Sequence, residues 1–240
     1  MQALETTAGP SQIPPCVPKG AAGALARPTP GMRRSLNHHG LHRVLGEAAW
    51  RRLPPAVRAR FGEPVVATDY VGTFEIVRAS LLGRFIALIC RLLGTPVVPR
   101  VGVDVPSVVH VGPVGEGVAW DREYRWPDGK MNLVRSTKTI GPDGQLIERL
   151  PARLCMPLEV YERDGALHFV SRGYYFDLGE WGKGASVKVP LPDWLSPGTT
   201  HVEHHDEPHG WFRFTMTCTH PRFGEMFYQT GRFRAAGSRP

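Results

Sequence analysis

The sequence predicts a mainly β (α+β) fold: an antiparallel, strongly curved sheet or barrel of about nine strands, with helices on its N-terminal side. Three observations carry this. Period-2 apolar runs recur at near-regular spacing between residues 105 and 234, turn sequences separate them, and one short, strongly apolar helix precedes them.

Residues 1–35 are rich in Pro, Gly, Ala and Thr and show no apolar period, so they read as a disordered tail ahead of a single β-rich domain over residues 36–236. Met32 is a second candidate start within that tail. Asn37 is a candidate N-cap for a short helix carrying Leu41, Val44, Leu45, Ala48 and Ala49. Leu53-Pro54-Pro55 breaks it, and Ala56 to Phe61 supply one more turn after the prolines. Residues 65–78 read as extended chain, rich in β-branched and aromatic side chains.

Ser80 to Leu93 is the clearest helix. Leu81, Leu82, Phe85, Ile86, Leu88, Ile89, Leu92 and Leu93 form a broad apolar face, Arg84 and Arg91 share the other side, and Gly94 with Pro96 stops it. At about 21 Å it is too short to span a bilayer. It is expected to pack on or in the sheet, which could close around it. The rival use is an interfacial helix or lid, giving peripheral membrane contact through Leu81–Leu93.

Beyond Val103, Pro127-Asp128-Gly129 and Gly141-Pro142-Asp143-Gly144 are turn sequences in which Pro presets φ and Gly accepts positive φ. Asp164-Gly165 is the strongest hairpin signal. Leu154, Met156, Leu158 and Val160 share one strand face, and Phe212, Phe214, Met216 and Cys218 share another.

The formal charge of +7 is dispersed: Lys19, Arg27, Arg33 and Arg34 against Glu5 place three charges in the tail, and the other four are spread among 22 acidic residues. No basic stripe of a nucleic-acid protein results. Cys16, Cys90, Cys155 and Cys218 form no CxxC pair, which fits reduced thiols in a cytoplasmic protein. No basic segment followed by an apolar run marks a signal peptide.

Several segments, in order, carry a family resemblance. They are Leu53-Pro54-Pro55 leading to Phe61, the Leu81–Leu93 helix with Gly94, Asp104-Val105-Pro106, Trp120-Asp121-Arg122, Glu148-Arg149-Leu150 and Leu191-Pro192. Gly210-Trp211-Phe212-Arg213-Phe214 follows, running through Gly224 to Tyr228 and Gly231. The block from Leu41 to Phe233, about four-fifths of the chain, resembles a family of bacterial domains, domain of unknown function 4166. The resemblance implies no catalytic residues. Some members are fused behind saccharopine-dehydrogenase-like nucleotide-binding domains, which implies an accessory role beside a separate dehydrogenase-like partner. This chain has no GxGxxG after a strand, so a redox role of its own is not expected.

Two arginines interrupt apolar alternation. Arg122 falls among Val118, Trp120, Tyr124 and Trp126, and Arg172 among Val170, Tyr174 and Phe176. A guanidinium inside a barrel must be compensated. Three readings stand: a pair with an internal carboxylate (Glu148 or Glu159), a clamp for the acidic end of an amphiphilic ligand, or a solvated strand face. The leading expectation is non-enzymatic binding of an apolar or amphiphilic, lipid-like small molecule in a barrel cavity. Arg122, Arg172, Trp120, Tyr124 and Tyr174 are its candidate contacts, with no cofactor. The alternative is a metal-assisted hydrolase or isomerase using the His201–His209 segment, in which His201, Glu203 and His205 share one strand face and His204 with Asp206 the other. Ser136, Ser171 and Ser186 lack a nucleophile elbow, and Cys155 and Cys218 lack an activating neighbour.

Overall fold

Three short helices open the chain in the computed structural model, which describes residues 40–92, 98–141, 143–181 and 185–237. The expected tail, Asn37 and the helix stop at Gly94 and Pro96 lie outside the described residues. Helix α1 (Leu41–Leu45) ends at Gly46, whose φ of 84° breaks what would otherwise continue into α2 (Glu47–Arg52). Pro54 caps α3 (Pro55–Phe61) and Pro55 sits at its first position, where the missing N–H costs nothing.

The long strand β1 (Thr68–Ala79) leads into α4 (Leu81–Leu92). The rest is strand: β2 (Gly102–Val114), β3 (Gly117–Arg125), β4 (Met131–Val134), β5 (Thr137–Ile140), β6 (Leu146–Arg149) and β7 (Leu154–Arg163). Then follow β8 (Ala166–Ser171), β9 (Tyr175–Trp181), β10 (Ala185–Pro190), β11 (Thr199–Asp206), β12 (Trp211–His220) and β13 (Gly224–Ala235). The turn between β7 and β8 forms as its sequence predicts, with positive φ at both Asp164 (53°) and Gly165 (76°).

All pairings are antiparallel, and the ring runs β7-β6-β5-β3-β2-β1-β13-β12-β11-β8, closed by the pairing of β8 back onto β7. Closure leaves these strands no free edge. Outside the ring, β4 pairs with β3, and the β9–β10 hairpin hangs from β7 through Leu154↔Phe176 and Cys155↔Tyr175. Strand number exceeds the expected nine because β4, β5 and β6 have only four residues each, too few to show a period.

Side chains fill the barrel, not a helix. Phe74 stacks on Tyr124 with centroids 4.8 Å apart and meets Phe233 at 5.0 Å and Phe214 at 5.9 Å. Leu53 and Val57 from the N-terminal helices pack on Leu146, Leu158, Leu167 and Phe169, plugging one mouth. We call this the cap end; β11 ends and β12 begins there, Asp206 pairing with Phe212. At the far end, β1 finishes opposite the start of β13, Ala79 pairing with Phe227. Helix α4 packs across that end, burying Ala87 against Met226 and against Cys218 and Phe227, which pair in the same inward phase as Met216 and Gln229. The helix therefore packs on the sheet at the end of the barrel, one of its two expected placements, while aromatic side chains fill the bore.

Candidate ligand site inside the barrel

Strand alternation decides which polar groups face inward. On β3, Trp120 and Tyr124 are buried and Arg122 is half-buried between them. Beside them, the neighbouring strands β5 and β6 set Lys138 against Glu148 in register, and Lys138 Nζ lies 3.1 Å from Glu148 Oε1 with both side chains buried. On β11 the inward residue is His204, opposite Phe214 of β12.

These groups form one electrostatic cluster. Burial works to raise the Glu148 carboxyl, but Lys138 and Arg122 outweigh it and hold it below its ordinary value. The Lys138 ammonium is lowered by burial and by Arg122, against the pull of Glu148. His204 falls well below its ordinary value through burial and the nearby Arg60, Lys138 and Arg122, so it is neutral at pH 7. Its ring sits in an aromatic box, 4.9 Å from Phe61, 5.3 Å from Phe214 and 5.7 Å from Trp120.

Helix α3 adds a third cation. Its last turn places the Arg60 guanidinium 3.7 Å over the Phe212 ring and Nη2 3.6 Å from Asp206 Oδ1; burial lowers Arg60 to about 10. Arg60 Nε and Nη1 and His204 Nδ1 are buried with no hydrogen-bond partner among the described residues. Phe61 stacks on Trp120 at 5.2 Å. Between this cap and the barrel wall lies a cleft of about 70 Å³, lined by Leu41, Arg60, Phe61, Val65, Trp120, Lys138, Ile140, Leu146 and Phe169 among others. Its wall is mostly apolar and carries two buried cations, Arg60 and Lys138, and the exposed carboxylates Glu63 and Glu116 also line it.

Of the residues expected to bind a ligand, Arg122 and Trp120 lie in this cluster. Tyr124 is deeper, donating its hydroxyl to Gln229 Oε1 at 2.8 Å. Tyr174 is buried in the neighbouring core region, its hydroxyl 2.9 Å from Thr200 Oγ1. Arg172 is corrected: it is exposed on the outer surface, paired with the exposed Glu159. Its apparent apolar alternation runs past the end of β8 at Ser171, so Arg172 lies beyond that strand. Arg122 has no such pair; among the described residues no carboxylate lies within 4.0 Å, and it rests 5.4 Å from the Phe214 ring.

The His201, Glu203 and His205 set is not assembled as metal ligands. Alternate residues on a strand stand about 6.6 Å apart, too far to share an ion without convergence from elsewhere. His201 instead meets His168 of β8, with Nε2 3.0 Å from Nδ1, and Tyr161 at 3.5 Å. Among the described residues no three His, Cys, Asp or Glu side chains gather so as to hold a metal ion. Cys155 and Cys218 are buried thiols, burial raising the latter to about 11, so neither is an activated nucleophile.

Lys138, His204 and Arg60 were not singled out from the sequence. His204 had a signal, since it alternates in phase with Val202 and so shares the barrel-facing side. Lys138 and Arg60 had none, because what each meets, Glu148 on β6 and Asp206 on β11, is set by strand pairing and by the docking of α3.

The fold and this interior define a closed antiparallel β-barrel domain, capped by helices over an aromatic, cation-rich core. The chain belongs to the family described as "Domain of unknown function (DUF4166)", whose model matches residues 53–233. No curated protein and no solved structure matches it.

Proposed function

We propose that this barrel is a non-enzymatic binding module for an amphiphilic small molecule with an acidic group. One observation carries the reading: in the cap-end half of the barrel Lys138 pairs with Glu148 and Arg60 with Asp206, whereas Arg122 has no carboxylate within ion-pair distance among the described residues. A half-buried cation without a carboxylate in contact is partly desolvated at a cost, and a carboxylate or phosphate guest offsets that cost through charge-assisted hydrogen bonds. The apolar cleft under Leu41, Phe61 and Ile140 supplies the matching surface for the guest's hydrocarbon part. Entry requires the helical cap to move, and the Arg52–Glu162 pair that ties α2 to the β7–β8 hairpin is one contact it would break.

The test is native mass spectrometry of untagged protein followed by release of bound molecules, together with titration of a fluorescent fatty acid. Recovery of an acidic amphiphile, and probe binding weakened ~10- to 100-fold by Arg122→Met, is the expected result, because a hydrogen bond to a charged group contributes about 1.5–3 kcal/mol. An empty protein that ignores the probe, with or without Arg122, overturns the reading.

A further inference from the structure

Helix α4 is apolar on two opposite sides, and the barrel uses only one. Gly83 and Ala87 are buried on the strand side, where a Cβ at Gly83 would come within 2.3 Å of the Met226 carbonyl oxygen. The small residues thus set the helix close against β13. Leu81, Phe85, Leu88 and Ile89 form the opposite stripe and are 84%, 60%, 52% and 43% exposed. Large apolar side chains left in water on one stripe of a helix mark a contact surface.

Two other segments add to the same end of the barrel. The β12–β13 turn presents Phe223, 54% exposed and stacked on His220 at 4.6 Å. The loop before β11 presents Trp194, 72% exposed, and is held against β12 by Cys218 Sγ donating to the Pro197 carbonyl at 3.2 Å. These segments meet at the far end because β1 finishes, β12 turns into β13 and β11 begins there, Thr199 pairing with Thr219 and His220 with Gly224.

The charge around this surface is positive. The α4 segment contains two arginines and no acid, and Arg84 is exposed beside the apolar stripe. Arg78 and Glu225 pair at 3.1 Å and cancel, leaving Arg84 and Arg222 against Asp193. A second copy docking through this face would bring like charges together across the symmetry axis. An anionic bilayer surface instead pairs those arginines with headgroups, while Trp and Phe settle at the headgroup level and the helix lies in the interface.

We propose that the far end of the barrel, formed by α4, Phe223 and Trp194, docks on anionic lipid bilayers. This goes beyond the ligand-binding reading and stands without it, since the two sites lie at opposite ends.

The test is co-sedimentation of the full chain with vesicles of phosphatidylcholine alone and of phosphatidylcholine mixed with phosphatidylglycerol. Binding to the mixed vesicles is expected, weakened by raised salt and by at least ~10-fold in a Phe85→Glu/Leu88→Glu variant whose circular dichroism is unchanged. Trp194→Ala gives an independent readout away from the helix and is expected to weaken binding by a smaller factor. Three results overturn the proposal: no sedimentation with mixed vesicles, equal sedimentation with neutral ones, or a dimer in light scattering that Phe85→Glu converts to monomer. None of these variants touches the barrel interior, so fatty-acid probe binding reports separately.

Discussion

The two ends of the barrel receive short apolar helices and treat them oppositely. At the cap end, Leu53 and Val57 on either side of the Pro54-Pro55 break are 2% and 0% exposed, seated on the inner ring of β6, β7 and β8. At the far end, the more hydrophobic α4 leaves Leu81, Phe85, Leu88 and Ile89 in solvent and packs through Gly83 and Ala87, with the half-buried Leu82 and Ile86 beside them. Hydropathy therefore does not decide burial. What decides it is the partner surface: the mouth at the cap end takes in whole apolar side chains, whereas at the far end the start of β13 meets α4 in a close contact at Gly83 and Ala87.

The comparison can be broken most severely from inside the cap end. Glu148→Gln leaves the buried Lys138 ammonium beside Arg122 without its carboxylate, and should cost about 3–5 kcal/mol in urea denaturation. The same pair sets a pH dependence. Because Glu148 is held below 4.5 in the folded state, its contribution is fully present above that value and is lost as the pH falls through its depressed value. The thermal midpoint of the wild type should fall on acidification from pH 5 towards pH 3, and Glu148→Gln should fall less steeply; identical slopes would show that the pair does not contribute.

Leu53→Ala comes next, at about 2–5 kcal/mol, since it opens a cavity at the plugged mouth. Its counterpart Phe85→Ala removes a larger side chain at the far end and should shift stability by no more than about 0.5 kcal/mol. Equal effects of the two would erase the distinction between the ends. Gly83→Ala sharpens it by forcing α4 away from the Met226 carbonyl, at about 1–3 kcal/mol, with faster proteolysis at the helix as a local readout. The smallest effect belongs to Arg172→Ala on the outer wall, about 0–1 kcal/mol by thermal melting, because its Glu159 partner is exposed as well.

Arg122 and Arg172 show how far strand periodicity reaches. Both interrupt apolar alternation, but only Arg122 lies within a continuous strand, β3, where odd and even positions keep their sides. Arg172 follows the last residue of β8, and a turn resets the phase before β9. The β11 alternation was legible for the same reason as β3: His204 and Asp206 do separate from His201, Glu203 and His205. The His168–His201 contact was not legible, since the register between β8 and β11 joins segments about 30 residues apart.

By itself, the sequence determined the antiparallel β class, the β7–β8 hairpin, the position of α4 and the inward phase of Trp120, Arg122 and Tyr124. All of these depend on residues close in the chain, through side-chain period and turn chemistry. Only the tertiary structure decided that β8 returns to β7, that α4 packs at the end of the barrel, that Lys138 and Glu148 meet beside Arg122, and that Arg60 reaches the cap-end cleft. Those outcomes depend on which walls close against which. That is a matter of shape and charge between distant segments, and no local pattern encodes it.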